Sequence, residues 1–433
     1  MNRRSFLSQV AVGVGAATCL GRTSFAANSE VRIGCVGVGG KGWSDMHETS
    51  VGHKIVAICD IDEERLAKAH EKFPDAQKFT DWRKLLEHPG IDAVTVSTPD
   101  HMHAAVTISA MELGKHAYTQ KPLAHSVFEA RRIAEVAEKQ GVITQMGIQH
   151  HATARLKLAV HAIQDGVIGK VSDVHVWTDR PGTFWKQGLQ RPTGGSEAPK
   201  SVHWDNWIGV APFRPYVAGV YHPFHWRGWW DFGTGALGDM GCHLLDPVVN
   251  ALQLSAPKSV SAEGPEPDAE SGPLWCIVTY KFPGSQYTSD EVKVTWYEAS
   301  KMPDKSLFLA PDDWKGSQNG VLFRGEKGNL FVGFPEMPEL FPKADFANYK
   351  WPELSDHNHY TQWTSAIANG TKTNCPFSYS GPLTETVLLG NVAYRTGQPI
   401  EWDSKNLVAT NCEAANKFIR REYRDGWSIP GLG

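Results

Sequence analysis

The first third of the chain alternates short apolar runs with amphipathic stretches. Val31–Val36 and the run KIVAICD, which ends at Asp60, are apolar segments of strand length. The stretches between such runs, for example EERLAKAHEKF, carry apolar residues at helical spacing. Strands that alternate with helices predict a parallel, doubly wound sheet. We place this first domain at residues 31–148.

The pattern changes after Gln149. TARLKLAVHAIQDGVIG predicts a helix, but KVSDVHVWT, LWCIVTYKF and VKVTWYEA are strand-like, and VLFRGEKGNLFV predicts a hairpin around Gly325–Gly328. GPLTETVLLGNVAYRTG predicts a late helix. Strands that follow one another without alternating helices favour an antiparallel sheet covered on one face. We assign residues 149–433, including a helical tail, to a second domain for substrate binding and oligomerisation.

Composition narrows the class of protein. The chain has 433 residues, 41% of them hydrophobic, and a formal net charge of −4 without a long basic run. These values are typical of a globular enzyme and argue against a nucleic-acid-binding protein. Cys35 and Cys59 lie in the apolar runs, so we interpret them as core residues rather than disulfide partners.

The N-terminus has the features of a signal peptide, which we place at residues 1–26. Arg3 and Arg4 precede an uncharged run, Val10–Leu20, and a small-residue site before Ala27. The run is too short for a membrane span, which needs about 20 residues. The paired arginines favour twin-arginine export over an ordinary Sec signal or a retained anchor. We therefore predict a periplasmic protein with no membrane span after cleavage.

A glycine motif follows the first predicted strand. Gly37, Gly39 and Gly42 form G-x-G-x-x-G, in which the glycines allow a tight turn, close approach of a pyrophosphate, and packing of helix on strand. Asp60 ends the second strand about 20 residues later, where a carboxylate binds a ribose 2′-hydroxyl and repels a 2′-phosphate. The motif predicts a dinucleotide site and favours NAD over NADP.

Three further motifs follow in order: TPDHMHA at 98–104, QKP at 120–122 and GDMGCHLLD at 238–246. Together with the glycine motif they resemble the Gfo/Idh/MocA family, which includes glucose–fructose oxidoreductase and inositol dehydrogenase. The resemblance implies an N-terminal Rossmann domain and a C-terminal open antiparallel sheet that commonly pairs subunits. It also implies a homo-oligomer that oxidises a carbohydrate CH–OH group with NAD.

The resemblance assigns roles to individual residues. Lys121 would reach the nicotinamide ribose and the reacting hydroxyl, and the peptide before Pro122 would be cis. Gln120 stands where the family has glutamate, so its contact with the cofactor would carry no charge. The other implied cofactor contacts are Pro99, Asp100, His103 and Gln149.

Asp239, His243 and Asp246 share one helical face if the helix is continuous. A metal site would need all three, but Asp239 and Asp246 are about two turns, or 10.5 Å, apart. Asp246 precedes Pro247 and is interpreted as an ordinary polar helix residue. Proton transfer needs only Asp239 and His243, since an unperturbed imidazole titrates near neutrality. The resemblance assigns the same roles to these two residues, so we predict no metal and name Lys121, Asp239 and His243 as catalytic.

A tryptophan-rich stretch precedes this pair. HWDNWIGVAPFRPYVAGVYHPFHWRGWWDF contains five of the 16 tryptophans of the chain. Aromatic faces pack against sugar C–H groups, although rings of this kind also fill cores and interfaces. We expect two or three of these tryptophans to fill a core and at least one to face a carbohydrate. The candidate substrate-binding residues are Trp226, Arg227 and His225.

Three functions follow from these residues. The first is NAD-dependent oxidation of a secondary hydroxyl of a sugar, polyol or glycoside, with NAD carried tightly bound through export. The second is redox-neutral glycoside cleavage by transient oxidation, elimination and re-reduction. The third is a non-catalytic exported carbohydrate-binding protein, which the presence of Lys121, Asp239 and His243 argues against.

Overall fold

The computed structural model describes residues 30–299 and 301–432, so the predicted signal peptide lies outside the described residues. The first domain is a six-stranded parallel sheet in the order β3-β2-β1-β4-β5-β6. The predicted doubly wound sheet is confirmed. Its strands are β1 (Arg32–Val36), β2 (Lys54–Cys59), β3 (Gln77–Phe79), β4 (Ala93–Val96), β5 (His116–Gln120) and β6 (Thr144–Gly147).

Five helices connect these strands: α1 (Lys41–Thr49), α2 (Glu63–Lys72), α3 (Trp82–Leu86), α4 (Asp100–Glu112) and α5 (Val127–Gln140). The strand order reverses between β1 and β4, which lie side by side. Open α/β sheets bind their ligands at the carboxyl edge of such a switch point. The glycine loop after β1 and the segment after β4 therefore meet at one position.

The second domain is built on a nine-stranded sheet in the order β13-β12-β11-β7-β10-β9-β8-β14-β15. Its strands are β7 (Val171–Trp177), β8 (Ser259–Glu263), β9 (Ile277–Pro283), β10 (Thr288–Tyr297), β11 (Gly320–Gly325), β12 (Gly328–Gly333), β13 (Glu339–Phe341), β14 (Ile400–Asp403) and β15 (Val408–Ala409). The predicted hairpin is β11–β12.

The second sheet is mixed, because β7 and β10 pair in parallel whereas its other pairs among the described strands are antiparallel. Apart from this one pair, the expected antiparallel arrangement is found. A parallel pair needs a long crossover connection. The chain between β7 and β10 supplies one, since it contains three helices and two strands.

The remaining α-helices of the described residues include some that pack on the second sheet and some that contact the first domain. They are α6 (Ala154–Gln164), α7 (Trp204–Ile208), α8 (Gly235–Leu244), α9 (Asp246–Leu252), α10 (His359–Asn369), α11 (Phe377–Thr396) and α12 (Asn416–Ile419). α11 packs on β8 and on α5 of the first domain. Trp363 of α10 is fully buried in the apolar core of the first domain. These contacts fix the first sheet against α8, which carries Asp239 and His243.

The six cysteines of the described residues are buried and form no disulfide. Among the helices of residues 30–299 and 301–432, none combines the length and apolar character that a membrane crossing requires.

Candidate active site

A cleft of about 470 Å³ opens at the carboxyl edge of the first sheet. The first domain lines it with the glycine loop, Asp60, the segment from Ser97 to His103, and Gln120 and Lys121. The second domain contributes Trp226, Arg227 and Asp239, among others. Most of the residues predicted to bind a cofactor or react with a substrate thus lie around one cavity.

The glycine loop is shaped by close backbone contacts. Gly37 has a φ of 79°, and a Cβ there would lie 2.6 Å from the carbonyl oxygen of Ser97. A Cβ at Gly42 would overlap the carbonyl oxygen of Gly37. α1 then begins at Lys41 without a side-chain cap or an acidic residue in its first turn. The N–H groups of Gly42 and Trp43 donate to the carbonyl oxygens of Gly39 and Gly40. No acidic side chain competes for the positive end of the helix, which fits the pyrophosphate of a dinucleotide.

Asp60 closes the loop from the neighbouring strand. Its Oδ2 accepts hydrogen bonds from the backbone N–H groups of Val38 at 2.9 Å and Gly39 at 3.2 Å. Burial raises the pKa of Asp60 above 3.8, although the backbone hydrogen bonds from Asp62 and Val38 and the charge of Arg65 oppose the shift. The carboxylate lines the cleft, where it can also accept a hydrogen bond from a ribose hydroxyl.

Lys121 joins the two domains. Its Nζ donates to the backbone oxygen of Asp239 at 2.6 Å and to Oδ1 of Asp239 at 2.8 Å. The peptide between Lys121 and Pro122 is cis, as the resemblance implies. An ammonium group has three N–H donors, and Asp239 receives two of them. The third is available to a hydroxyl group in the cleft.

Asp239 is held as a carboxylate. Burial alone would raise its pKa, but the charges of Lys121 and Arg227 and the hydrogen bond from Lys121 lower it well below the usual range. Arg227 Nε lies 3.3 Å from Oδ1 of Asp239. Two cations therefore share one carboxylate, and this fixes the position of the Lys121 ammonium.

His243 follows Asp239 by one helical turn, but its ring lies beside the main cleft rather than in its lining. The ring contacts His150 edge-on at 5.4 Å and Phe334 at 5.8 Å, and it lines a separate, smaller cavity together with these two residues. Burial lowers the pKa of His243 well below 6.5, and the charge of Lys121 lowers it further. Its Nδ1 is buried without a hydrogen-bond partner among the described residues. A neutral imidazole is able to accept a proton.

The segment after β4 is fixed by polar contacts. His103 lies between two carbonyl oxygens, with Nδ1 2.7 Å from that of Pro122 and Nε2 2.9 Å from that of Thr98. Burial lowers the pKa of His103 to about 4, so it is neutral near pH 7. Asp100 accepts a hydrogen bond from Thr234 Oγ1 at 2.7 Å, and burial raises its pKa to about 7. Asp100 and His103 line the cleft with Pro99.

Two predicted cofactor contacts are engaged with protein partners. Gln120 lines the cleft, and its Nε2 donates to Asp45 at 2.8 Å. Gln149 donates to Tyr118 Oη at 2.9 Å and does not line the cleft. The sequence reasoning missed Asp45, because a polar residue inside an amphipathic helix carries no signal of a buried network. It also missed Thr234, the hydroxyl partner of Asp100.

The tryptophan-rich stretch serves mainly as packing. Trp229 and Trp230 are buried and donate to the carbonyl oxygens of Val220 and Asp268. Trp204 stacks on Trp207 at 4.5 Å.

Trp207, Trp226 and Arg227 line the cleft, and the Arg227 guanidinium lies over the Trp226 ring. His225 is exposed beside Phe224 and is not part of the lining. His222 and Phe224 occupy the lining instead.

Asp246, interpreted from the sequence as an ordinary polar helix residue, lies at the start of a separate helix with its carboxylate buried. α8 ends at Leu244 and α9 begins at Asp246, so the helical face is interrupted. The Asp246 carboxylate is fully buried, 2.9 Å from His151 Nδ1 and 2.5 Å from Tyr379 Oη. It therefore stabilises the packing behind the site. No group of three or more His, Cys, Asp or Glu residues in the described ranges is arranged to hold a metal ion.

Two sequence-family models match the chain. The model of an oxidoreductase family with an NAD-binding Rossmann fold (GFO_IDH_MocA) matches residues 31–148. The model of the C-terminal alpha/beta domain of the same oxidoreductase family matches residues 153–429. The two matches together span nearly all of the described chain.

Individual relatives align over shorter segments. Levoglucosan dehydrogenase of Pseudarthrobacter phenanthrenivorans is 26% identical over 189 residues, or 44% of this chain and 40% of that protein. Myo-inositol 2-dehydrogenase of Thermotoga maritima is 29% identical over 142 residues, 32% of this chain and 42% of that protein. Glycosyl hydrolase family 109 protein 1 of Shewanella sp. (strain ANA-3) is 30% identical over 152 residues, 33% of each chain. The chain thus matches less than half of the length of these curated relatives.

The fold recurs in solved structures. WlbA dehydrogenase from Bordetella pertussis, in complex with NADH and UDP-GlcNAcA, superposes with a TM-score of 0.60 and 18% sequence identity. The match covers 87% of this chain and 99% of that one. At this identity the similarity establishes the fold of both domains.

Proposed function

Because the chain belongs to the Gfo/Idh/MocA family of oxidoreductases, we propose that it binds NAD in the cleft and oxidises a secondary hydroxyl of a sugar, polyol or glycoside. The observation that carries the proposal is the Lys121–Asp239 pair. It lies in the same cavity as the glycine loop and is followed one turn later by a neutral, half-buried His243.

The first domain would hold the cofactor. The N-terminus of α1 and the glycine loop accommodate the pyrophosphate, and Asp60 accepts a hydrogen bond from the adenosine ribose. Pro99, Asp100 and His103 form the wall along the dinucleotide. The negative charge of Asp60 disfavours a 2′-phosphate, so NAD is preferred over NADP. When bound, NAD supplies the acceptor for the hydride that leaves the carbinol carbon.

The protein residues handle the hydroxyl and its proton. The free donor of Lys121 binds the substrate oxygen, and Asp239 holds the ammonium in that position. As the carbon loses a hydride, the hydroxyl loses its proton to His243, which is neutral at pH 7 because burial lowers its pKa. The positive charge of Lys121 stabilises the alkoxide character that develops on the substrate oxygen. The product is the ketone.

The substrate class rests on the cleft lining and on the relatives. Trp226 offers an aromatic face for sugar C–H groups, and Arg227 offers donors for hydroxyl groups. The names of the relatives describe dehydrogenases of an anhydrosugar and of a cyclic polyol. Both names describe proteins that act on rings with several secondary hydroxyl groups.

Redox-neutral glycoside cleavage is the second candidate. One relative is named as a glycosyl hydrolase of family 109. Oxidation of a ring hydroxyl acidifies the neighbouring C–H, elimination releases the leaving group, water adds to the alkene, and the hydride returns to the ketone. We also propose export through the twin-arginine signal and assembly into a homo-oligomer. A cofactor carried bound into the periplasm favours a cycle that regenerates it in place.

One experiment separates these functions. The mature protein is purified from the export route and incubated with a panel of sugars, polyols and glycosides, with and without added NAD. An oxidised product together with NADH absorbance, seen only with added NAD, supports net oxidation. Release of the leaving group without net NADH formation and without added NAD supports cleavage. A protein that neither contains nor binds a dinucleotide contradicts both.

A further inference from the structure

A buried carboxylate lies behind the cleft wall and has no part in the proton transfer described above. Asp45 of α1 is fully buried. Its Oδ2 accepts hydrogen bonds from Gln120 Nε2 at 2.8 Å and from Ser97 Oγ at 2.7 Å, and its Oδ1 accepts one from Lys41 Nζ. The three donors come from α1, from the end of β5 and from the segment after β4, and each lines the cleft. Asp45 thus connects three parts of the cavity wall.

The hydrogen bond between Gln120 and Asp45 explains why position 120 carries an amide. A hydrogen bond to the Asp45 carboxylate needs a donor, and the Nε2 of glutamine supplies one. A glutamate at position 120 would place two carboxylates in contact, which is unfavourable when both are charged. Gly147 makes room for this arrangement, since a Cβ there would lie 2.6 Å from the amide nitrogen of Gln120. The charge that the family resemblance places at 120 is therefore carried by Asp45.

The same carboxylate holds Lys41. The Lys41 ammonium is also 2.6 Å from Tyr360 Oη, and the Tyr360 ring stacks on that of Tyr118 at 5.6 Å. Tyr118 lies on β5, two residues before Gln120. Asp45 therefore ties the first turn of α1 and the end of β5 to helix α10 of the second domain.

We propose that Asp45 is a positioning residue of the dinucleotide site, whose charge orients the Gln120 amide and the Lys41 ammonium. With Nε2 committed to Asp45, the carbonyl oxygen Oε1 is the Gln120 atom left to accept a hydroxyl of the cofactor. Lys41 is held at the N-terminus of α1, beside the anion site. Gln120 directly precedes Lys121 in the chain. By holding Gln120, Asp45 therefore also helps to position Lys121. This inference rests on the proposed function, because it assumes that a dinucleotide occupies the cleft.

Moving the carboxylate from position 45 to position 120 tests the proposal. The variants are Asp45→Asn, Gln120→Glu and the double variant, with Glu48→Gln as the control because it removes a charge from the same helix. The full mature chain is used throughout. The readouts are the Kd for NAD by calorimetry, the melting temperature, and kcat and KM separately. The Kd measures the dinucleotide site independently of turnover.

Each single variant should weaken NAD binding by about tenfold or more, since hydrogen bonds to charged groups are worth about 1.5–3 kcal/mol. The double variant again pairs one carboxylate with one amide. It should recover NAD affinity to within a few-fold of wild type, and Glu48→Gln should leave it unchanged.

Three results would overturn the proposal. One is an unchanged Kd in Asp45→Asn and Gln120→Glu. Another is a double variant whose loss of NAD binding free energy equals the sum of the losses in the two single variants. Asp45 would then contribute only to packing. The third is a chain that unfolds with Asp45→Asn and is not restored by the second substitution. If Asp45→Asn unfolds and the addition of Gln120→Glu restores both folding and NAD binding, the proposal is supported. A wild-type chain that binds no dinucleotide overturns the proposed function as well, whereas a bound dinucleotide without an Asp45 effect overturns this inference alone.

Discussion

The Lys121 ammonium lies 2.8 Å from the Asp239 carboxylate, and the two residues belong to different domains. The side chains are only 15% and 16% exposed, so solvent screens the pair less than it screens a surface ion pair. The contact places an anchored cation at the carboxyl edge of the first sheet. The chemistry of the cleft therefore depends on how α8 packs against β5.

Asp239→Asn should lower activity without removing the cofactor. The amide can still accept one hydrogen bond, but Lys121 and Arg227 lose the charge that fixes them. We expect kcat/KM to fall by about 10²–10³-fold, in the range typical of lost acid–base machinery. The Kd for NAD should change by no more than a few-fold. Steady-state kinetics and calorimetry measure the two effects.

Asp165→Asn is a suitable control for this variant, because the Asp165 side chain is 57% exposed and is remote from the cleft. It should leave both kcat/KM and the Kd for NAD at wild-type values. A large loss of NAD affinity in Asp239→Asn would contradict the assignment of Asp239 to the substrate side of the cleft.

His243→Gln should remove the proton acceptor and change the pH profile. Burial, the charge of Lys121 and nearby His150 lower the pKa of His243 well below 6.5. The imidazole is therefore neutral at pH 7, and its protonation reduces kcat/KM only on the acid side of the ordinary histidine range. We expect a loss of about 10²–10⁴-fold in kcat with NAD still bound, and no acid limb in the residual rate. If the variant keeps the wild-type acid limb, another group is the base.

The first domain could be predicted almost completely, because apolar strands, amphipathic helices and the glycine motif all signal through local sequence. The motifs also identified Lys121 and Asp239, whose contact the structure shows. The parallel pairing of β7 with β10 could not be predicted, because it depends on a long connection whose path carries no periodic pattern. The position of His225 depends on the path of a turn, and that of Asp246 depends on the break between two helices. The spacing of residues along the sequence predicts neither the turn nor the break.

Asp60→Asn should shift cofactor preference. Asp60 accepts backbone hydrogen bonds from Val38 and Gly39, and its charge lies where a 2′-phosphate would have to enter. Loss of the charge should weaken NAD binding and strengthen NADP binding, changing the ratio of the two Kd values by about tenfold or more. Arg65 lines the same part of the cleft, so adding Arg65→Met should remove the gain for NADP. An unchanged ratio would show that Asp60 supports the loop only.

Substitutions at Arg227 and at nearby His225 should have different effects on KM for the carbohydrate. Arg227 lines the cleft and contacts Asp239, whereas His225 is exposed outside it. Arg227→Met should raise KM for the carbohydrate by about tenfold or more, because a charged donor is lost from the cavity. His225→Ala should leave KM and kcat near wild type. A strong KM effect at His225 would mean that this surface closes over the substrate.

Asp100→Asn should change how stability depends on pH. Burial raises the pKa of Asp100 from 3.8 to about 7, so between these values the folded chain holds a proton that the unfolded chain has released. The free energy of unfolding therefore decreases as pH rises through this window, and above pH 7 the folded state bears the full cost of a buried carboxylate.

An asparagine at position 100 has no such cost, and its Oδ1 can still accept the hydrogen bond from Thr234. The advantage of the variant over wild type should grow from near zero at about pH 4 to a few kcal/mol above pH 7, because one pKa unit corresponds to about 1.4 kcal/mol. Urea unfolding of both proteins without added NAD, across this range, measures the difference. A gap that stays constant with pH would show that Lys121 and Arg227 keep Asp100 ionised throughout.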